Sequence, residues 1–199
     1  MKTVLLQDLD DWQKRLLAIE PAGSFKAFGS LYFTNTAEGK IEGRTFKAFV
    51  SPSGLRWEYL DLQENQQVVH LLLSEGKRRT LYRLYPAKRT AEIVETYDSG
   101  GSPGGMPKQQ AQRFQERYRG FWCVREEWRE RSMAASLGVL LRGWTVSAGP
   151  ARGWLLRLEL HMQSANELLG FAVWDTLDVS FESLPRELFV LPRDYQIVK

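Results

Sequence analysis

Between residues 24 and 97, five turn-forming clusters cut the chain into short runs: AEGK at 37–40, SPSG at 51–54, QENQ at 63–66, SEGK at 74–77 and YPAK at 85–88. Connections this short join antiparallel neighbours, because a parallel pair needs a crossover of about a dozen residues or more. The intervening runs, 44–50, 55–62, 68–73, 80–85 and 90–97, have the length and the β-branched and aromatic content of strands. A further strand precedes them. From Ser24 the side chains alternate, with Phe25, Ala27, Gly29, Leu31 and Phe33 on one side and Lys26, Phe28, Ser30, Tyr32 and Thr34 on the other. This half of the chain is expected to be a β meander.

Two segments read as helices. Leu5, Leu9, Trp12, Leu16 and Ile19 recur at three- and four-residue steps, with Asp8, Asp11, Lys14 and Arg15 off that face, and Pro21 and Gly23 end the pattern. Ala111, Phe114, Tyr118 and Phe121 step along a second face, opposed by Gln112, Arg113, Glu116 and Arg117. Before that helix lies DSGGSPGGMP, residues 98–107, with four Gly and two Pro and no apolar period, the composition of an exposed loop, either a linker or a lid. Strand alternation returns at 139–147, 153–162 and 169–181, while 123–135 fits helix and strand equally well. The fold class expected is α+β, a curved, mainly antiparallel sheet with helices against it. The 199 residues make one domain, 1–199, large enough to bury about 70% of the unfolded chain's surface.

The net charge of +3 leaves 27 basic residues nearly balanced by 24 acidic ones, too weak an excess to point to nucleic acid. Residues 113–132 interleave Arg with aromatic rings, as single-strand binders do, but four Glu in the same stretch favour a salt-bridged surface. No stretch approaches the ~20 apolar residues of a membrane span. The opening residues lack the uninterrupted apolar core of a signal peptide, so the expected compartment is cytoplasmic if Met1 is native and periplasmic if an export signal was trimmed.

Catalytic motifs are sparse. His70 and His161 have no second ligand at zinc spacing, and Cys123 beside Trp122 reads as a small core hydrophobe. Glycines 100, 101, 104 and 105 match neither a P-loop nor a dinucleotide fingerprint. The carboxylate pairs Glu126 with Glu127 and Asp175 with Asp178 read as solvent-facing. No cofactor, metal or catalytic residue is expected. What remains is an apolar stripe: Phe33, Phe46, Trp57, Tyr59, Tyr82, Trp154, Leu156, Leu158 and Phe171 can all face one side of a curved sheet, as packed core or as the wall of a ligand cavity.

The chain ends in SLPRELFVLPRDYQIVK, in which Pro185, Leu188, Phe189, Pro192 and Tyr195 form a Pro-x-x-Leu-Phe-x-x-Pro-x-x-Tyr pattern. With GLRWEYLD at 54–61 and RTLYRLYPAKRTAEI at 79–93, the order of elements resembles the bacterial lipoprotein-carrier superfamily (LolA/LolB-like), which includes a periplasmic chaperone, an outer-membrane receptor and an anti-sigma regulator. The resemblance implies an unclosed β barrel plugged by helices, enclosing a cavity for a lipid or a lipoprotein acyl chain. The leading functional expectation is therefore non-enzymatic binding of a hydrophobic ligand at the nine stripe residues, in lipoprotein transport or envelope sensing, an envelope protein being a further partner. The alternatives are a cofactor-independent enzyme acting on a hydrophobic or aromatic intermediate, and a protein-interaction module.

Overall fold

The computed structural model describes residues 22–35, 40–61, 66–98, 111–132, 137–164 and 167–198. Within them, two antiparallel meanders share one sheet. The first runs through β1 (Phe25–Asn35), β2 (Lys40–Ser51), β3 (Gly54–Asp61), β4 (Gln66–Glu75), β5 (Arg78–Tyr85) and β6 (Thr90–Asp98). The second runs through β7 (Gln112–Tyr118), β8 (Phe121–Ser132), β9 (Leu137–Val146), β10 (Leu155–Ser164) and β11 (Glu167–Ser180). β1 pairs antiparallel with β11 and fuses the two, and a short β12 (Gln196–Val198) adds parallel to β6. The strand order is β12-β6-β5-β4-β3-β2-β1-β11-β10-β9-β8-β7, so β12 and β7 form open edges and the curved sheet is not closed.

The curvature can be read from two rings. Trp57 on β3 and Trp174 on β11 are separated by β2 and β1, three strand spacings or about 14 Å in a flat sheet. Their ring centroids lie 5.4 Å apart, so the sheet bends toward the face that carries both. This inner face holds the main core: Phe25, Ala27, Leu31, Phe46, Ala48, Val50, Leu55 and Trp57 from the first meander meet Leu141, Leu158, Leu160, Ala172 and Trp174 from the second. Burying one such large side chain contributes about 1.5–3 kcal/mol. Gly29 lies under the Phe46 ring, where a Cβ would overlap both that ring and the Asp175 carbonyl oxygen.

A second, smaller core lies on the outer face. Val69, Leu71, Leu84 and Ala91 are buried there beneath Leu191 and Tyr195 of the C-terminal segment. Phe189, in a 3-10 turn at Arg186–Phe189, is buried nearby, its ring close to where a Cβ on Gly54 would stand. The chain then reaches β12, where the Gln196 amide donates to the Arg89 carbonyl at 2.9 Å. Burial on both faces explains the apolar runs on either side of His70 in β4, since a strand exposed on one side would alternate with polar residues.

The expectation of helices plugging the barrel is not supported: among the described residues the only helical turns are 3-10, at Pro86–Lys88 and Arg186–Phe189. The expected first helix, 5–19, lies outside the described residues, as does the Gly-rich loop after Asp98, the last residue of β6. The expected helix over 111–121 is instead the β7–β8 hairpin. Arg119 and Gly120 both have positive φ, 49° and 84°, which makes a tight reversal that no helix can pass through. Phe114 and Tyr118 are four apart, a spacing that suits one helix face and also one side of a strand. Arg-Gly is a weak turn signal beside Asn-Gly, so the reversal left little mark on the sequence. The ambiguous stretch from Cys123 is strand as far as Ser132.

Candidate functional site

Three tryptophans organise the inner face. Phe46 stacks on Trp174 with centroids 4.0 Å apart and planes 22° apart, Trp57 meets Phe46 edge-on at 6.1 Å, and Trp154 meets Trp174 at 6.4 Å. The group continues from Trp57 to Tyr59 at 5.2 Å and to His70 at 5.6 Å, with the Arg44 guanidinium 5.1 Å above the Tyr59 ring. Strand alternation places these side chains together. Phe46 is paired with Tyr59, Ala48 with Trp57 and Trp57 with His70 across neighbouring strands, so all share one face.

The indoles differ in how their N–H groups are satisfied. Buried Thr176 Oγ1 accepts from Trp154 Nε1 at 3.2 Å and from Trp174 Nε1 at 3.3 Å, and donates to the Leu155 carbonyl at 2.9 Å. Trp174 also reaches the Leu155 carbonyl at 3.3 Å. By contrast Trp57 Nε1 is buried with no hydrogen-bond partner among the described residues, and so is Nδ1 of His70. A buried donor left unpaired costs about 1–3 kcal/mol.

His70 has a defined chemical state. Burial, then the charges of Arg83 and Arg44, push its pKa down to about 3, so the ring is neutral at physiological pH. Arg83 Nε donates to His70 Nε2 at 3.2 Å, which makes Nε2 the acceptor and places the ring proton on Nδ1. With its lone pair already occupied by Arg83, the imidazole presents a donor to the inner face rather than a base.

Seven of the nine expected stripe residues come together: Phe46, Trp57, Trp154, Leu156 and Leu158 are in the main core, with Phe33 and Tyr59 packed against it. Two do not. Tyr82 packs on the outer-face cluster, because it pairs with Leu71 while its neighbour Leu81 pairs with Leu72 and turns inward. Phe171 pairs with His161 and so faces away from Leu158 and Leu160. Both registers of FAVWDT carry a ring, and only Asp175, in phase with Phe171, marks that register as outward. Trp174 and His70 belong to the cluster and were not among the expected site residues. His70 interrupts an apolar run directly opposite Trp57, which is the signal that could have found it.

The outer face of the second meander carries a continuous charged network. Glu116 accepts from Arg125 at 3.3 Å, Arg125 and Arg142 both reach Glu127, Arg142 approaches Glu159 at 3.9 Å, and Arg157 joins Glu159 to Asp175. Arg119, from the β7–β8 turn, closes on Asp175. The reading of Glu127 as solvent-facing is thereby corrected: its side chain is 8% exposed and it binds Arg125, Arg129 and Arg142. Burial alone would raise its pKa, but the hydrogen bonds and charges of Arg129 and Arg142 outweigh this and hold the carboxyl below its usual range. Asp175 is likewise largely buried between Arg119 and Arg157. Some of these pairs lie across strands and others, Arg125–Glu127, Arg129–Glu127 and Arg157–Glu159, two residues apart along one strand, where a helix was expected to place such pairs one turn apart.

Burial pushes the Cys123 thiol up, away from thiolate chemistry, and His161 lies on the outer face beside Glu159. Among the described residues no group of three or more His, Cys, Asp or Glu side chains is placed to hold a metal ion, and no helix is long and apolar enough to cross a membrane.

No family model and no curated relative matches the chain. Solved structures do. A LolA superfamily protein from Nitrosomonas europaea aligns over 92% of this chain and 96% of its own at 13% identity and a TM-score of 0.39. A putative outer membrane lipoprotein-sorting protein domain from Vibrio parahaemolyticus aligns over 91% and 95% at 13% identity and a TM-score of 0.37. A DUF1329 family protein from Desulfovibrio piger aligns over 91% and 95% at 9% identity and a TM-score of 0.41. Likeness at this level carries no residue role, ligand or activity to this chain.

Proposed function

We propose that the protein binds a hydrophobic ligand, an acyl chain or a comparable apolar group, against the aromatic inner face of its open sheet. The observation that carries this reading is the run of rings from Trp174 through Phe46 and Trp57 to Tyr59, drawn together by curvature on a sheet whose two edges do not meet. Apolar burial at about 25 cal/mol per Å² supplies affinity for a chain without many directed contacts. His70, neutral and already bonded by Arg83, offers orientation to such a ligand and no proton-transfer chemistry. In this reading the natural ligand is a lipid or the acyl chain of a lipoprotein, and the setting is the bacterial envelope.

A brominated fatty acid tests it directly, because bromine quenches only nearby indoles. Titration into the full chain should quench the buried tryptophans of the inner face, and Trp57→Leu should remove a large share of that quenching. Quenching confined to Trp122, which is exposed on β8, would place the chain on the outside of the protein and sink the proposal.

A further inference from the structure

Two donors on the inner face have no protein acceptor among the described residues: Trp57 Nε1–H and, by the tautomer that Arg83 imposes, His70 Nδ1–H. They are not scattered. Trp57 and His70 are direct cross-strand partners on β3 and β4, each 4% exposed, with ring centroids 5.6 Å apart. On the same face one well-placed threonine satisfies the indoles of Trp154 and Trp174, so the fold has the means to supply an acceptor and does not supply one at Trp57. Arg83 and Arg44 approach the His70 ring closely enough for their charges to act on it, and among the described residues Arg44 makes no ion pair. The environment is thus apolar in its walls, positive in its field and short of one acceptor group.

We infer that Trp57 Nε1–H and His70 Nδ1–H form a polar subsite that takes the acyl head of the ligand, a carboxylate or ester carbonyl oxygen, and so fixes which end of the chain stays on β3 and β4. The inference rests on the hydrophobic-ligand reading of this face and adds to it the chemistry of the head. An acyl group carries two oxygens, one for each donor, at the roughly 2.9 Å of an N–H···O bond. The positive surroundings favour an oxygen that carries negative charge, which ranks the free carboxylate above the ester.

The test uses the full chain, with diphenylhexatriene, a pure hydrocarbon, as the fluorescent occupant and three competitors of equal chain length: dodecanoate, methyl dodecanoate and 1-dodecene. The indole N–H resonance of Trp57, assigned by its disappearance in Trp57→Phe, is followed in parallel. Dodecanoate, alone or together with the ester, should shift that resonance downfield, and 1-dodecene should not. Trp57→Phe trims the apolar wall for every probe alike but removes the donor, so it should weaken the acceptor-bearing competitors about fivefold more than it weakens 1-dodecene and diphenylhexatriene, the worth of one hydrogen bond. A response to dodecanoate alone identifies a free fatty acid as the ligand class, and a response to both identifies the shared acyl oxygen. Equal losses for all three competitors, or a resonance that ignores the head group, would overturn the subsite while leaving hydrophobic binding intact. Failure of diphenylhexatriene and every competitor to bind would instead remove the underlying reading, and the subsite with it.

Discussion

Arg119 Nη2 lies 2.9 Å from Asp175 Oδ2, although Arg119 sits at the turn between β7 and β8 and Asp175 on β11, with β9 and β10 between them. The tip of an edge hairpin is thereby tied to the strand at the centre of the sheet. Arg119 Nη1 also donates to the Thr176 carbonyl. Arg119→Ala should release this tie at a cost of about 1 kcal/mol, since the guanidinium is one-third exposed. Hydrogen exchange should quicken at amides flanking the 119–120 turn and stay unchanged in β1 and β2. Unaltered exchange in the hairpin would show that the contact holds nothing.

Glu127 gathers three arginines, and replacing it leaves three like charges close together. Glu127→Gln should destabilise the protein by about 2 kcal/mol, less than the 3–5 kcal/mol of a fully buried pair because Arg129 remains exposed. The sign with pH follows from the depressed folded pKa. The carboxylate's contribution is complete above its unfolded value of about 4.3 and is lost as pH falls through the folded value. Thermal melts of wild type and variant from pH 7 to pH 3 should therefore converge at the acid end, and a gap that stays constant would contradict the assignment.

Thr176 is a single hydroxyl serving two indoles. Thr176→Val conserves shape, leaves Trp174 its bond to the Leu155 carbonyl, and strips Trp154 of its acceptor. Urea unfolding should show a loss of about 1–3 kcal/mol, with a change in the near-ultraviolet circular dichroism of the tryptophans. Thr176→Ser should restore most of both.

His70 titrates in the unfolded chain near 6.5 and in the folded protein at about 3. Between those values the unfolded state binds more protons, so stability should rise with pH across this window. His70→Gln should flatten that slope. In nuclear magnetic resonance the ring of His70 should keep the shifts of a neutral imidazole from pH 8 down to pH 5, and a midpoint inside that range would refute the buried, arginine-flanked state.

Much of this architecture was legible because its physics is local. The β1 alternation reads correctly, with Phe25, Ala27 and Leu31 buried and Phe28 and Tyr32 exposed, and the turn clusters separate the first meander's strands where expected. The failures arise where two periods or two faces give the same answer. Phe114 and Tyr118 satisfy helix and strand alike, so the β7–β8 hairpin was hidden by an Arg-Gly turn. Tyr82 lies on a strand apolar on both faces, where alternation carries no sign, and Phe171 differs from Ala172 by the one-residue step that reverses every side chain. The unpaired donors of Trp57 and His70 are invisible to any pattern, because an absent acceptor is a property of packing.

The lid that Leu191, Tyr195 and Phe189 form over β4 and β5 sets an order of events during synthesis. β3 to β6 leave the ribosome with Val69, Leu71 and Leu84 uncovered on their outer face, and the segment that covers them follows the entire second meander. A nascent chain thus holds a sticky, unfinished surface through most of its translation, the interval in which holdase chaperones act. Ribosomes stalled late in the message would carry a sheet whose strands are already paired and whose back is still bare.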